Sequence, residues 1–253
     1  MILAVSINNA HITIGLVDAD VIRSEQVTSR ALTDFEMTMH IRSVLDLYGF
    51  AADDIEGSVI SSVVPSLTSA AKSAVRKLTG DDPITVGPGV KTGLHIIIDD
   101  PAQLGADLVT QAVGALGEYS LPMVIIDMGT AASIGVIDEK ARYIGGLLMP
   151  GIDVSMDALR QRTSSLPHVP LTDAPKKMIC TNTTDCLRSG AFYGFACAID
   201  GIIDGIAREL GSMPTVIMTE TSPISGLLTH QIITDTDLSL KGLRKIYNKN
   251  KYQ

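Results

Sequence analysis

The fold is decided by the stretch IIDMGTAASIGVID, residues 125–138, when it is read beside VSINNAHITIGLVD, residues 5–18. Each stretch begins with an apolar strand and makes a tight turn rich in small polar residues. Each then continues into a second strand that ends with glycine, two apolar residues and aspartate. Short apolar runs bounded by turn residues are typical of buried strands. Two related copies about half a chain apart therefore predict a duplicated domain.

The turn of the later copy has the chemistry of a phosphate and metal site. It opens with Asp127 and continues to Gly129 and Thr130. An aspartate supplies an oxygen ligand for Mg²⁺, a glycine can reach φ > 0 and lets a phosphate approach, and a threonine hydroxyl donates to phosphate oxygens. In the earlier copy Ser6 and Asn8 stand in the places of the aspartate and the glycine. A single such turn would more simply be an ordinary hairpin, but its repetition favours a site.

Composition limits the classes of function. At 253 residues with 45% hydrophobic content, the chain can bury a core large enough for two lobes. The net charge of −8 argues against nucleic acid as a partner, because phosphate backbones are bound by Lys and Arg surfaces. Apolar runs long enough for a membrane span are not evident, so no membrane partner is predicted.

The N-terminus and the cysteines predict a cytoplasmic protein. The first residues resemble a buried strand and lack the charged region and cleavage site of a signal peptide. The three cysteines are odd in number and lack metal spacing, so we expect them to be reduced thiols.

Strand and helix patterns alternate along the chain and predict an α/β fold with parallel pairing. Strands are predicted at 1–7, 11–18, 21–28, 58–64, 83–86, 122–127, 132–138, 142–148 and 214–219, and helices at 33–48, 66–79, 101–117, 151–163, 182–210 and 239–248. We expect an N-terminal lobe over 1–117 and a C-terminal lobe over 118–253.

Motifs in a fixed order run through nearly the whole chain. They are Ile60–Pro65, Gly87–Gly93, Gly105–Asp107, Asp127–Ala131, Gly145–Gly151 and Asn182–Gly194. By these motifs the chain resembles the type III pantothenate kinases. The resemblance implies the duplicated, two-lobe actin/hexokinase/Hsp70-like fold, which is ribonuclease H-like in each lobe.

The resemblance also implies a reaction and a set of roles. Enzymes of this family transfer the γ-phosphoryl group of ATP to the hydroxyl group of pantothenate, the first step of coenzyme A synthesis. By resemblance Asp107 is the general base, and Gly105 and Thr183 contact pantothenate. The residues implied for ATP are Asn9, Asp127, Gly129 and Thr130, with Asp127 also implied for Mg²⁺. The family also requires K⁺ or NH₄⁺ and forms dimers.

The sequence departs from the family pattern at ligand contacts. The N-terminal Asp-x-Gly-Asn-Thr motif of the family is Ser6-Ile7-Asn8-Asn9-Ala10 here, so only Asn9 is kept. The arginine that follows the base in the family is Leu108, a tyrosine of the substrate pocket is Ile98, and a glycine expected near the adenosine is Glu220.

Three functions remain open on this evidence. The chain can be a subunit that is impaired alone and acts when paired with an intact homologue. The predicted assembly is a homodimer or a heterodimer with that homologue. It can be an autonomous pantothenate kinase with relaxed motifs. It can also be a regulator that senses a ligand on the same fold.

Overall fold

The computed structural model describes residues 1–19 and 21–251. The chain divides into two compact units, Met1–Glu118 with Asp237–Gln253 as unit 1 and Tyr119–Thr236 as unit 2. The lobe boundaries expected from the sequence placed the last helix in the C-terminal lobe, whereas here that helix packs with the first unit. The division into functional lobes otherwise stays a prediction.

Unit 1 begins with three consecutive strands, after which helices and strands alternate along the chain. Its elements in chain order are β1 (Ile2–Ile7), β2 (His11–Asp18), β3 (Val21–Thr28), α1 (Asp34–Tyr48), β4 (Gly57–Ser62), α2 (Pro65–Thr79), β5 (Ile84–Thr85), β6 (His95–Ile96) and α3 (Ala106–Ala115). Local chemistry sets the helix ends. Thr33 and Glu36 form a reciprocal capping box before α1, and Gly49 ends that helix in the left-handed region.

Unit 2 also begins with three consecutive strands, but both of its α-helices lie between its third and fourth strands. Its elements are β7 (Met123–Met128), β8 (Ala131–Ile137), β9 (Arg142–Pro150), α4 (Ile152–Gln161), α5 (Thr183–Leu210), β10 (Thr215–Met218) and β11 (Ile232–Thr234). The helix that follows, α6 (Leu238–Asn250), belongs to unit 1. The sequence did not predict the short strands β6 and β11.

Sheet topology confirms the duplication. The strand order is β3-β2-β1-β4-β5 in unit 1 and, within unit 2, β9-β8-β7-β10-β11. In both sheets the first three strands form an antiparallel meander and the next two run parallel to its first strand. The predicted α/β class with parallel pairing is confirmed.

The sheet of unit 1 is covered on both faces, so its central strand is buried throughout. Leu3, Val5 and Ile7 of β1 pack with α1 and α2. Ile2 and Ala4 pack instead in a second cluster that includes side chains of α3 and α6. Because neighbouring residues of a strand point to opposite faces, this alternation assigns each β1 side chain to one face.

The last helix packs on unit 1 through glycines. A Cβ atom at Gly242 would collide with the carbonyl oxygen of Thr110, and one at Gly114 would collide with that of Leu238. Lys245 Nζ donates to the carbonyl oxygens of Gly114 and Leu116 at 2.9 and 2.8 Å, which caps the end of α3. This close backbone approach accounts for the grouping of α6 with unit 1.

The predicted helix over 101–117 is divided in the structure. A short 3₁₀ turn, Pro101–Gln103, is followed by extended backbone at Leu104 and by Gly105, and α3 begins only at Ala106. Asp100 caps the 3₁₀ turn by accepting from the Ala102 N–H at 3.1 Å. The break places the start of α3 at the position of the predicted catalytic aspartate.

One helix has the length and composition of a membrane span. Within the described residues α5 reaches a mean hydropathy of 1.3 over 18 residues, although only 33% of that window is buried. The sequence pattern had indicated no such run. The core helix of a soluble protein passes the same test, so this is weak evidence for a membrane segment.

Candidate functional site

The N-terminal turn connects β1 to β2 and closes tightly. The Asn8 N–H donates to the carbonyl oxygen of His11 at 2.9 Å, and Asn9 is exposed at the tip. Asn8 does not adopt positive φ, so its backbone conformation does not require a glycine. Its side-chain Oδ1 is buried and has no hydrogen-bond partner among the described residues. Such an atom is costly unless water or a ligand completes it.

Three hydroxyl side chains form a row across the first sheet. Ser6 of β1 lies in register with Thr13 of β2 and with Ser61 of β4. Ser6 and Ser61 are 3% and 1% exposed, whereas Thr13 is partly exposed. Ser6 lies two residues after Ala4 and Ser61 two residues after Val59, so the row shares their face of the sheet, which packs against α3 and α6. We call Thr13, Ser6 and Ser61 the hydroxyl row.

Asp107 lies in the first turn of α3, on the side of the sheet that the hydroxyl row faces. The Cβ position of the N-cap residue Gly105 is occupied by Asp107 Oδ1 and lies 3.8 Å from Val63, which follows β4. Asp107 Oδ1 accepts from the Leu108 N–H at 2.8 Å. Burial raises the pKa of the Asp107 carboxyl group, although the N–H groups of Leu108 and of Asp107 itself oppose the shift. A higher pKa makes this carboxylate a stronger base.

The predicted site residues of unit 1 therefore lie towards the same end of the first sheet. Asn9 follows β1, and Gly105 and Asp107 lie beside the end of β4, the parallel neighbour of β1. The carboxyl ends of parallel strands in α/β sheets are the usual place for a ligand. The sequence missed Thr13 and Ser61, because only strand register brings them beside Ser6.

The second turn connects β7 to β8 and consists of Gly129 and Thr130. Asp127, near the end of β7, accepts from the Gly129 N–H at 3.3 Å. Gly129 does not have positive φ, which corrects the prediction. A Cβ atom there would meet only Asp127 Oδ1 at 3.5 Å and the Ala131 carbonyl oxygen at 3.8 Å. The fold itself thus leaves this glycine replaceable, and the space beside it is open to a ligand.

The start of α4 packs against this second turn. The Gly151 N–H donates to the Thr130 carbonyl oxygen at 2.9 Å. A Cβ atom at Gly151 would collide with the Gly129 carbonyl oxygen, so only glycine fits. Gly151 is the N-cap residue of α4, and the free N–H groups of a helix N-terminus favour anions. Both features suit a phosphate group.

A second carboxylate lies near Asp127. The Thr219 N–H donates to the carbonyl oxygen of Ile126 at 3.0 Å, which brings the end of β10 beside the end of β7. Burial and the negative charge of Asp127 together raise the pKa of Glu220. Sequence comparison marked Glu220 as a departure, but not as a neighbour of Asp127.

Thr183 lies on a separate element, at the first position of α5. It is exposed and follows the N-cap residue Asn182, whose Oδ1 accepts from the Asp185 N–H at 2.9 Å. The capping explains why the helix begins here. The hydrogen bonds of this cap involve other side chains, so they leave the role of Thr183 a prediction.

The residues of the second turn fit Mg²⁺ and a nucleotide. Mg²⁺ is usually held by one or two carboxylates together with substrate phosphates. Asp127 supplies a carboxylate, and the open space at Gly129 can admit a phosphate. No cluster of three metal-binding side chains occurs within residues 1–19 and 21–251. A Mg²⁺ site that substrate phosphates complete does not need such a cluster. The first turn offers Ser6 and Asn8 instead and does not fit a metal.

Comparisons with known proteins agree in family. The family model described as type III pantothenate kinase matches residues 2–205. The chain is 37% identical over 254 residues to the type III pantothenate kinase of Halalkalibacterium halodurans, covering 99% of this chain and 100% of that protein. It is 33% identical over 262 residues to that of Syntrophotalea carbinolica, covering 99% and 100% respectively.

Solved structures agree in fold. The activator of the 2-hydroxyisocaproyl-CoA dehydratase from Clostridium difficile, with bound ADPNP, has a TM-score of 0.54 and 12% identity over 99% of this chain and 94% of that one. A ROK family glucokinase from Streptomyces griseus, in complex with glucose and AMPPNP, has a TM-score of 0.52 and 13% identity over 100% and 99%. These likenesses concern the fold alone and confirm the predicted duplicated fold.

Proposed function

The chain belongs to the type III pantothenate kinase family, and from this premise we propose that it phosphorylates the hydroxyl group of pantothenate with ATP in coenzyme A synthesis. The observation that carries the proposal is the half-buried carboxylate of Asp107 at the start of α3, on the side of the first sheet that the hydroxyl row faces, because burial raises its pKa and strengthens it as a base. Asp107 would accept the proton of the substrate hydroxyl group as that group attacks the phosphoryl group.

Unit 2 would supply the nucleotide contacts. The N–H groups of the first turn of α4 are suited to phosphate oxygens, the space beside Gly129 leaves room for them, and the Thr130 hydroxyl is a further donor. Asp127 would hold Mg²⁺, which neutralises phosphate charge when bound. Asn9 would contribute from the N-terminal turn. A requirement for K⁺ or NH₄⁺ is part of the proposal, without residues assigned to it.

Gly105 and Thr183 would contact pantothenate. Gly105 leaves room for the Asp107 carboxylate, as its own Cβ position is taken by Asp107 Oδ1. Thr183 presents an exposed hydroxyl group at the first turn of α5. Catalysis of phosphoryl transfer depends mainly on positioning and charge stabilisation.

The direct test is turnover by the purified chain. With ATP, Mg²⁺ and K⁺, formation of phosphopantothenate should be detectable by mass spectrometry and should fall when Na⁺ replaces K⁺. Asp107→Asn keeps an acceptor for the Leu108 N–H and removes the base, so it should lower turnover about 10²–10⁴-fold. Turnover that survives this substitution would exclude Asp107 as the base.

We further propose that activity is weak for the chain alone and increases in a dimer with an intact homologue. The N-terminal turn has Ser6 where the family has a carboxylate, so its own phosphate and cation contacts are reduced. Unit 2 also presents exposed apolar side chains suited to a subunit interface. Among these are Leu148, which is 73% exposed, and Ile179, which is 86% exposed.

Co-expression with an intact homologue from the same cell tests the pairing. A heterodimer should appear by size-exclusion chromatography, and its turnover should exceed the sum of the separate chains. If the chain elutes only as a homodimer and the homologue alone is fully active, the pairing is refuted. Ligand-induced thermal shifts without turnover in either state would favour the sensing alternative. A cytoplasmic location is proposed with the kinase function.

A further inference from the structure

The chain between α4 and α5 is held along α5 by side chains of that helix. The structure describes residues 162–182 throughout and contains no helix or strand there. We call these residues the connecting segment. Ser189 Oγ donates to the carbonyl oxygen of Met178 at 2.5 Å, and Tyr193 Oη donates to that of Pro175 at 3.0 Å. Because Ser189 and Tyr193 are four residues apart on the helix, they hold the segment against one helix face.

Two thiol groups lie where the connecting segment meets the first turns of α5. Cys186 Sγ donates to the carbonyl oxygen of Cys180 at 3.4 Å, and Cys180 Sγ donates to that of Lys177 at 3.2 Å. Cys180 is half-buried and Cys186 is exposed. Accessible thiols can react with oxidants in solution, whereas buried structural thiols are inert. The two cysteines are therefore in contact with each other and open to an oxidant.

The two cysteines enclose the start of α5. Asn182, the N-cap residue, and Thr183, the first residue of the helix, lie between them in the chain. Asn182 Oδ1 accepts from the Asp185 N–H at 2.9 Å, and Asn182 Nδ2 donates to the Asp185 carboxylate at 2.8 Å. The Cys186 N–H donates to the Asn182 carbonyl oxygen at 2.9 Å. Cys186 thus belongs to a hydrogen-bonded helical turn, whereas Cys180 lies outside it, on the connecting segment.

A disulfide bond between the two cysteines would change how the connecting segment is held. The sulfur atoms of a disulfide carry no proton, so both thiol-to-carbonyl hydrogen bonds would be lost. The Cβ atoms of a disulfide lie about 3.8 Å apart, so the Cys180 side chain would turn from the Lys177 carbonyl oxygen towards Cys186. Because Cys186 is fixed in the helical turn, the part that moves is the connecting segment next to Asn182.

We propose that Cys180 and Cys186 are a redox-sensitive thiol pair, which a low-molecular-weight disulfide oxidises to an intramolecular disulfide bond across the start of α5. One cysteine attacks the small disulfide, forms a mixed disulfide with it and releases one small thiol. The other cysteine attacks the mixed disulfide, closes the bond between the two cysteines and releases the second small thiol. The protein loses two protons and two electrons, which the two released thiols carry.

Oxidation also alters the proposed substrate contact at Thr183. This consequence rests on the proposed function, in which the exposed Thr183 hydroxyl group contacts pantothenate. The connecting segment ends directly before Thr183, so its displacement changes the position of that hydroxyl group. We expect the oxidised chain to have a KM for pantothenate about three- to tenfold higher, equivalent to one lost hydrogen bond, with an unchanged KM for ATP. Exposed disulfides are readily reduced, so an excess of small thiol reverses the change.

Peptide mapping of the full chain detects the disulfide without an activity assay. Trypsin cleavage after Lys177 and Arg188 releases a peptide of residues 178–188, which contains both cysteines of the pair but not Cys197. After treatment with oxidised glutathione, this peptide should be lighter by the mass of two hydrogen atoms and should no longer react with iodoacetamide. An excess of reduced glutathione should reverse both changes.

Cys197 provides the matched control. It is also exposed, but it lies about 16 Å from Cys186 along the axis of α5, too far for a disulfide between the two. Cys197→Ser should keep the full response to oxidised glutathione. Cys186→Ser keeps a donor for the Cys180 carbonyl oxygen but should abolish both the disulfide and the rise in KM. Circular dichroism melting curves of both variants check that they fold.

The outcomes separate the thiol pair from the proposed kinase function. If the disulfide forms and KM rises only in chains that keep both cysteines, the inference is supported. If the disulfide forms but neither redox state phosphorylates pantothenate, the kinase function fails and the modification site stands. If Cys180 and Cys186 still react with iodoacetamide after oxidation, or carry separate glutathione adducts, the pair is refuted. An unchanged KM in the oxidised chain would refute the effect on Thr183.

Discussion

The two hairpin turns of the duplicated sheets share a topology and differ in chemistry. Both connect the first two strands of an antiparallel meander. The turn after β7 has Asp127 and an open glycine, whereas the turn after β1 has Ser6 and a buried, unpartnered Asn8. The sheets are therefore maintained by core packing, which both copies keep, and the ligand chemistry can change without disturbing it.

The largest expected difference between the two turns concerns the Asp127 carboxylate and the Ser6 hydroxyl group, each removed in a separate variant. Asp127→Asn should lower kcat/KM for ATP about 10²–10³-fold, because the charge that would hold the cation is lost. Ser6→Ala should change it by less than about threefold. The measurement is steady-state kinetics of both variants. Equal losses would mean that the two turns contribute alike.

A smaller effect is expected at the glycine of the intact turn. Gly129→Ala should lower nucleotide affinity about tenfold while the free energy of unfolding changes by less than about 0.5 kcal/mol, since a Cβ atom meets no close neighbour. Gly151→Ala is the matched control. It should cost about 1–3 kcal/mol of stability, because its Cβ atom collides with the Gly129 carbonyl oxygen. Calorimetric titration and urea unfolding report the two quantities separately.

A third prediction concerns restoring the family motif in the N-terminal turn, to test whether ATP binding can be regained without changes to the sheet. The triple variant Ser6→Asp, Asn8→Gly, Ala10→Thr should bind ATP about tenfold more tightly in Mg²⁺. Because position 6 is 3% exposed, the new carboxylate should lower stability without Mg²⁺. The control has Asn at position 6 and the same other changes. A gain that the control shares would exclude the charge as its cause.

The smallest effect concerns Glu220. Its pKa is raised in the folded protein, so the native state binds a proton more readily than the unfolded state. Stability therefore falls as pH rises from the ordinary glutamate range through the raised pKa, and the loss is complete above it. Glu220→Gln should remove this loss and stabilise the chain at neutral pH by less than about 1 kcal/mol. The melting temperatures of the parent chain and of Glu220→Gln, measured against pH, should converge as the pH falls to the ordinary glutamate range.

Strand and helix positions were largely predictable because their signals are local. The capping box of α1 and the apolar strand of β7 are read directly from the sequence. The register that aligns Ser6 with Ser61 depends on distant residues, so the hydroxyl row was not predictable. The neighbouring positions of Glu220 and Asp127 have the same origin, since parallel pairing of β10 with β7 brings them together.

The local geometry of the candidate site residues was less predictable than the helices and strands that hold them. Asp107 lies in the first turn of α3, where backbone N–H groups are free to bind its carboxylate. The sequence predicted one helix from Pro101 onwards and did not predict the break before α3. The position at which packing requires a glycine was also not predicted. Gly129 is conformationally ordinary, whereas Gly151, distant in sequence, is the one that the packing demands.

The position of α6 has a consequence for synthesis on the ribosome. Unit 2 is one uninterrupted segment, whereas unit 1 needs residues 237–250 to cover a face of its sheet. Unit 1 is therefore the first unit to be translated but the last to be complete, because it needs α6. Until α6 emerges, the apolar surface of α3 and of the sheet beneath it remains exposed to other chains and to chaperones.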